Sequence, residues 1–137
     1  MQMIVFRLGE RIYGFSTDKV EEITTVLDST VMPQSPEWTV GLVNLRGQVM
    51  TLVDLDILLN GSHSSEDDWY KNTIIIHTEE NPIALKVGAV IGVSDIEEDQ
   101  LQSVGEEESI ISGYISAYGE IVSCIELEKI FKEKEEV

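Results

Sequence analysis

The chain has 137 residues, one cysteine, and 26 acidic against nine basic residues, so its formal net charge is -17. This length suits one domain, and a single cysteine excludes an internal disulfide. The negative charge repels phosphate and anionic lipid heads, so nucleic acid is not an expected partner, and no apolar run reaches the roughly 18 residues of a membrane-spanning helix. Halophilic adaptation or plain solubility explains the acidic excess, and a partner that docks on this surface must be basic there or must meet an apolar patch.

The chain begins with a predicted β-hairpin. Residues 3–8 and 11–15 are rich in β-branched and aromatic side chains, and Gly9-Glu10 between them suits a two-residue type II′ turn. A short helix over 19–23 is predicted next, with Asp18 as its N-cap and Glu21 at the reach-back position.

The central segment GLVNLRGQVMTLVDLD, residues 41–56, is mostly apolar, and Arg46 is its only positively charged residue. Asn44 to Gly47 stand between two β-rich runs, which predicts a strand end or a tight turn, and Gly47 permits a positive φ or a close backbone approach. The arginine is then expected at the rim of a strand. Arg46 then has two interpretations: a salt bridge to a nearby carboxylate, with Glu22 as one candidate, or a fixed charge presented to a partner. Asp54 is predicted to cap a short helix that Gly61 ends.

The second half of the chain is also predicted to be mostly β. A polar loop over 60–72 comes first, and a second surface connection covers 97–109. The predicted strands are 73–78, 83–87, 89–93, 110–116 and 121–125, and a helix follows at about 126–135. We therefore expect two small β lobes packed as one unit, and the sequence shows no exact internal repeat.

The sequence contains no grouping of residues that is typical of a catalytic or metal-binding site. His63 lies in the polar loop and His77 ends a strand, neither with a cysteine nearby, and Cys124 in an apolar strand is more typical of a core position than of a nucleophile. Asp54 and Asp56 do not continue into a calcium-binding loop. No catalytic residue, metal site or cofactor is predicted, and a binding protein is favoured over an enzyme.

The residues from about 3 to 131 resemble the CheW family of bacterial chemotaxis coupling proteins. The likeness rests on FRLGERIYGF followed by V-E-E-I, on GLVNLRG with its apolar strand, and on the closing ISGYISAYGEIVSCIELEKIF. It implies an all-β fold with short helices, in which two SH3-like five-stranded β-barrel lobes pack together. The whole chain, residues 1–137, would form this single CheW-like domain, with the helix at about 126–135 at its end.

The same resemblance implies a non-catalytic, cytoplasmic adaptor associated with membrane-anchored receptor arrays. It would couple the cytoplasmic tips of methyl-accepting chemoreceptors to the regulatory domain of the histidine kinase CheA, without inserting into the membrane. Two alternatives remain: a CheW-like adaptor of another pathway, such as motility or biofilm control, and a small-ligand-binding β-barrel protein.

The interface residues implied by the resemblance surround the N-L-R-G motif and the V-x-E-I motif. They are Val20, Glu22, Gly41, Asn44, Arg46 and Gly47. Two positions depart from the family pattern: Thr51, where the family often has proline, and Gly88, where it often has an acidic residue. These departures concern the contacts between lobes and the kinase-facing surface, and they leave Arg46 untouched.

Overall fold

The computed structural model describes residues 1–62, 69–103 and 110–135, with side chains as far as Phe131. His63, Glu106–Glu108 and the side chains of Lys132 and Lys134 therefore lie outside the described residues. The strands are β1 (Gln2–Leu8), β2 (Arg11–Ser16), β3 (Val20–Thr24), β4 (Thr39–Leu45), β5 (Gln48–Asp54), β6 (Asn72–His77), β7 (Pro82–Val87), β8 (Val90–Asp95), β9 (Gln102–Ser103), β10 (Ile111–Ala117) and β11 (Glu120–Ile125). The α-helices are α1 (Leu55–Asn60) and α2 (Leu127–Glu135).

The strands form two sheets, which we call the first and second lobes. The first lobe has the strand order β8-β1-β2-β11-β10-β9, and the second has the order β3-β6-β7-β5-β4. Each lobe contains one parallel pair, β2 with β11 and β5 with β7, among antiparallel neighbours. The predicted all-β fold of two lobes is confirmed, with one difference: the two-residue strand β9 gives the first sheet a sixth strand.

The two lobes are built on the same plan. Strands β1, β2 and β3 correspond to β6, β7 and β8, while β4, β5 and α1 correspond to β10, β11 and α2. The register supports this match, because Cys124 pairs with Gly14 in one parallel pair as Leu52 pairs with Ala84 in the other. Both hairpins also shift register at the same place, between Thr39 and Gly41 and between Ile111 and Gly113.

The chain therefore contains a structural repeat, and each half supplies a hairpin to the sheet of the other half. The β1–β2 hairpin of the first half pairs with strands of the second half, and the β6–β7 hairpin of the second half pairs with strands of the first. From β4 to α1 the two copies lie 72 residues apart, as from Gly41 to Gly113. Over residues 39–60, only Gly41, Gly47 and Leu55 are identical to their counterparts.

The core follows from this exchange, because strand β1 is buried on both faces. Met3 and Val5 pack inside the first lobe, whereas Ile4, Phe6 and Leu8 join a cluster that also holds side chains of β5, β6 and β7 from the second lobe. This cluster continues into α1 and α2 through their buried leucine and isoleucine side chains. Burial of this apolar surface removes it from water and holds the lobes together.

Several local predictions agree with the structure. Gly9 has a positive φ of 63° at the first turn position of the β1–β2 hairpin, as a type II′ turn requires. The Asp54 side chain accepts a hydrogen bond of 3.1 Å from the Ile57 N–H and so caps α1, and Gly61 ends that helix in the left-handed conformation.

The predicted helix over 19–23 is wrong. Ser16, and not Asp18, caps a single turn of 3₁₀ helix at Thr17–Lys19, and the chain then enters β3. Pairing with β6 explains the difference, because the β-branched Val20 and Ile23 fit a sheet better than an isolated turn of helix. No helix in the described parts of the chain has the length and apolarity to cross a bilayer.

Candidate functional site

The N-L-R-G motif forms the turn between β4 and β5. Arg46 and Gly47 occupy its two central positions with φ values of 52° and 85°, and positive φ at both positions is typical of a type I′ turn. The Asn44 side-chain oxygen accepts a hydrogen bond of 2.9 Å from the Gly47 N–H, which braces the turn. Asn44 and Gly47 thus fix the backbone from which the Arg46 side chain extends.

Arg46 forms a bidentate ion pair with Glu22. Its Nη1 donates a hydrogen bond of 3.1 Å to Oε2 of Glu22, and its Nη2 donates to Oε1. The side chains are 69% and 30% exposed, respectively, so the pair lies at the surface. Because β3 and β4 are the two outer strands of the second sheet, the pair joins one outer strand to the turn beside the other. Arg46 is therefore both salt-bridged and accessible to a partner.

The ion pair is charged at neutral pH. The hydrogen bond from Arg46 lowers the pKa of Glu22, and the same contact raises the pKa of Arg46. Since the folded-state pKa of Glu22 is depressed, the pair's contribution to stability is complete above the ordinary glutamate pKa and is lost as the pH falls through the lowered value. That contribution is small because both groups are solvated.

Val20 and Gly41 support the site from inside the lobe. Val20 begins β3, two residues before Glu22, and packs half-buried against the shared core. Gly41 is buried in β4, where a Cβ atom would lie 2.3 Å from the carbonyl oxygen of Thr30. Thr30 lies beside β4 because it exchanges two backbone hydrogen bonds of 2.8 Å with Leu42. We call this isolated antiparallel bridge the Thr30 crossing. The structure thus brings Glu22, Asn44, Arg46 and Gly47 together and gives Gly41 a packing role.

Exposed apolar side chains beside the ion pair were missed by the sequence analysis. Val49, which pairs with Asn44 across the hairpin, is 59% exposed, and Ile23 follows Glu22 with a partly exposed side chain. Strand alternation gives a signal for Val49, because the neighbouring Met50 and Leu52 point into the lobe and Val49 then points outward.

A surface cleft of about 840 Å³ adjoins the same hairpin. Leu42, Val49, Ile83 and Phe131 give it an apolar wall that spans the second lobe and α2. Charged side chains also line it, among them Lys19 and Glu128, whose Nζ and Oε1 atoms are 3.2 Å apart. The cleft combines an apolar surface with charged groups, as a site for a protein segment does.

The two departures from the family pattern have different surroundings. Gly88 lies where a Cβ atom would be 2.6 Å from the carbonyl oxygen of Arg7, to which the Gly88 N–H donates a hydrogen bond of 2.8 Å. A side chain at this position therefore needs a local shift of the backbone around Arg7 or Gly88. Thr51 is half-buried in β5 and lines the cleft.

Catalytic and metal-binding clusters do not emerge from the described residues. No three histidine, cysteine or acidic side chains there are grouped so that they could hold a metal ion. His77 is exposed, with Nδ1 3.1 Å from Oε1 of Glu21. Cys124 is 2% exposed in β11, and its Sγ lies 3.6 Å from Sδ of Met3.

We expect the Cys124 thiol to be inert in the folded protein. Burial raises its pKa to about 11, so the reactive thiolate is a minor species at pH 8, and the surrounding core excludes reagents. Iodoacetamide should leave the native protein unmodified over an hour at pH 8 and should alkylate one cysteine after denaturation, as measured by mass spectrometry. Rapid alkylation of the native protein would contradict the buried position.

This chain is similar to known proteins over nearly its whole length. Two curated relatives, each named "Chemotaxis protein CheW", come from Rhizobium meliloti (strain 1021) and Thermotoga maritima. The first is 26% identical over 139 residues, covering 98% of this chain and 89% of the relative. The second is 25% identical over 135 residues, covering 96% of this chain and 88% of the relative.

A solved structure shows the same fold. It is the crystal structure of the scaffolding protein TtCheW from Thermoanaerobacter tengcongensis, which superimposes with a TM-score of 0.79 at 24% identity over 96% of this chain and 92% of that one. A family model described as "CheW-like domain" matches residues 2–135, nearly the whole chain. This chain therefore belongs to the CheW-like domain family.

Proposed function

We propose that this protein is a non-catalytic chemotaxis adaptor that couples the cytoplasmic tips of methyl-accepting chemoreceptors to the histidine kinase CheA. One observation carries the proposal: in a chain of this family, Arg46 is held on a braced turn, paired with Glu22 and open to solvent. A rigid, accessible guanidinium recognises carboxylates with defined geometry. An adaptor needs such a fixed contact point and no reacting group.

The receptor tip docks on the second lobe. Its helix lays apolar side chains into the cleft beside Leu42 and Val49, and a carboxylate on it shares the Arg46 guanidinium with Glu22. In this proposal, Glu22 and Arg46 contact the partner directly, whereas Asn44 and Gly47 hold the turn. Val20 and Gly41 act through the packing of β3 and β4.

The regulatory domain of CheA binds a separate apolar patch with a polar rim. Each contact alone is weak, but simultaneous engagement of receptor and kinase in an array raises the overall affinity by about 10²-fold. The signal then passes as a change in the relative placement of receptor and kinase. We propose that the protein acts as a single domain in the cytoplasm at these arrays, and the core cluster shared by both lobes supports this.

Two alternatives remain open to test. A CheW-like adaptor of a motility or biofilm pathway would use the same surfaces with a different kinase. A small-ligand-binding protein is favoured only by the cleft, whose volume of about 840 Å³ falls within the range of small-molecule sites. Stabilisation by a metabolite, with no binding to CheA, would favour this second alternative.

A reconstituted signalling assay tests the proposal. Receptor-containing membranes, CheA and this protein are combined, and CheA autophosphorylation is followed with and without attractant. We expect kinase activity to rise at least about tenfold only when all three are present, and to fall when attractant is added. If the protein bound neither the receptor tip nor the CheA regulatory domain, the proposal would be contradicted.

A further inference from the structure

The turn that carries Arg46 has a counterpart in the first lobe. Tyr118 and Gly119 form the turn between β10 and β11, with φ values of 53° and 76°, close to the 52° and 85° of Arg46 and Gly47. Tyr118 lies 72 residues after Arg46, the same spacing that separates the rest of the two hairpins. The two lobes thus present different side chains from the same backbone position.

The residue opposite Tyr118 also has a defined counterpart. Gly92 pairs with Val5 in β8–β1 as Glu22 pairs with Ile75 in β3–β6, and in both pairs of strands the register shifts on the same side of this position. A Cβ atom at Gly92 would lie 2.4 Å from the Tyr118 hydroxyl. The tyrosine therefore fills the space over Gly92 where a glutamate side chain would begin.

A hydrogen bond completes this contact. The Ser94 hydroxyl donates to the Tyr118 hydroxyl at 2.9 Å, which joins the β10–β11 turn to the outer strand β8. The corresponding residue of β3 is Thr24, since Ser94 pairs with Met3 as Thr24 pairs with Thr73. The second lobe thus already carries a hydroxyl at this place.

We infer that Tyr118, placed over Gly92 and bonded to Ser94, is the first lobe's neutral equivalent of the Glu22–Arg46 pair and serves only to close the lobe. This inference rests on the proposed function for its second part: closure of a lobe does not need charge, so the ion pair of the second lobe determines which partner docks. Arg46 both closes the second lobe and recognises the partner, and substitutions can separate these two roles.

The repeat also separates four of the six interface residues by role. Gly41 and its counterpart Gly113 both lie against a backbone carbonyl, 2.3 Å and 2.5 Å from where a Cβ would stand. Gly47 and Gly119 both take the second turn position. Gly41 and Gly47, which are the same in the two lobes, serve the shared fold, whereas Glu22 and Arg46, whose counterparts are Gly92 and Tyr118, are specific to the second lobe.

Transplanting the neutral contact into the second lobe tests the inference. The variants are Glu22→Gly, Arg46→Tyr and the double variant, in which the new tyrosine hydroxyl can bond to Thr24. Thermal unfolding and the reconstituted kinase assay are measured for each. We expect the double variant to unfold at least about 3 °C above Arg46→Tyr alone, because glycine at position 22 leaves room for the tyrosine, as Gly92 does for Tyr118. We also expect its receptor-dependent kinase control to fall at least tenfold.

The reciprocal change in the first lobe is the matched control. Gly92→Glu with Tyr118→Arg should leave kinase control within twofold of the unchanged protein. A double variant Glu22→Gly/Arg46→Tyr no more stable than Arg46→Tyr would overturn the equivalence of the two contacts, and full kinase control in it would overturn the recognition role. If the unchanged protein gives no coupling at all, the proposed function fails, while the unfolding temperatures still decide the equivalence.

Discussion

Replacing Arg46 with glutamate is expected to abolish receptor-dependent control of the kinase while changing the unfolding temperature by no more than about 3 °C. The change sets two carboxylates against each other at positions 22 and 46 and reverses the charge offered to the receptor. Stability changes little because the ion pair is exposed, at 69% for Arg46, and its charges stay hydrated. Kinase autophosphorylation and thermal unfolding measure the two effects separately.

Two further variants make this result specific. Arg7→Glu is the matched control, because Arg7 is another exposed arginine in an ion pair, with Nη2 3.6 Å from Oε1 of Glu120, but on the first lobe. It should leave kinase control intact. The reversed pair, Glu22→Arg with Arg46→Glu, should restore the salt bridge without restoring control. A large drop in unfolding temperature with control preserved would show that the pair serves the fold instead.

Replacing Gly41 with alanine is expected to destabilise the protein by about 3 kcal/mol, which lowers its unfolding temperature by about 10 °C. The new Cβ would stand 2.3 Å from the Thr30 carbonyl oxygen, and this neighbour is backbone held by two hydrogen bonds to Leu42. Either β4 bulges away or the Thr30 crossing detaches. Thermal or urea unfolding measures the loss directly.

Gly47→Ala is the control for this substitution. Nothing lies within 4 Å of a Cβ at Gly47, so only its φ of +85° opposes a side chain, and the expected loss is about 1 kcal/mol. The two alanine variants thus separate crowding from backbone strain. If Gly41→Ala unfolds within 2 °C of Gly47→Ala, the Thr30 crossing is not tightly held.

Local signals made much of the fold predictable. Three local predictions agree with the structure: the hairpin turn at Gly9, the helix cap at Asp54 and the end of α1 at Gly61. Each of these residues acts on the backbone next to it. The local capping residues predict a helix where β3 forms, because they carry no information about pairing with β6, which lies some 50 residues away. Tertiary pairing outweighed local propensity.

The candidate site was only partly predictable for a similar reason. Gly47 indicated a turn at Arg46, and the pairing with Glu22 was one of the alternatives from the sequence, which the structure shows to be formed. The internal repeat is not visible in the sequence because burial constrains the type of a side chain more than its identity. Val43 and Ile115, for example, occupy matching buried positions with different residues. Ion pairs and repeats of this kind become visible only in three dimensions.

The exchanged hairpins prevent either half of the chain from forming a complete sheet as a separate fragment. A fragment that ends before β6 would keep β1 and β2 without β8 and β11, and β3 to β5 without β6 and β7. Each remnant would expose bare strand edges, which invite aggregation. Truncation is therefore a poor route to isolating one binding surface, and point substitutions in the intact chain are the sounder tool.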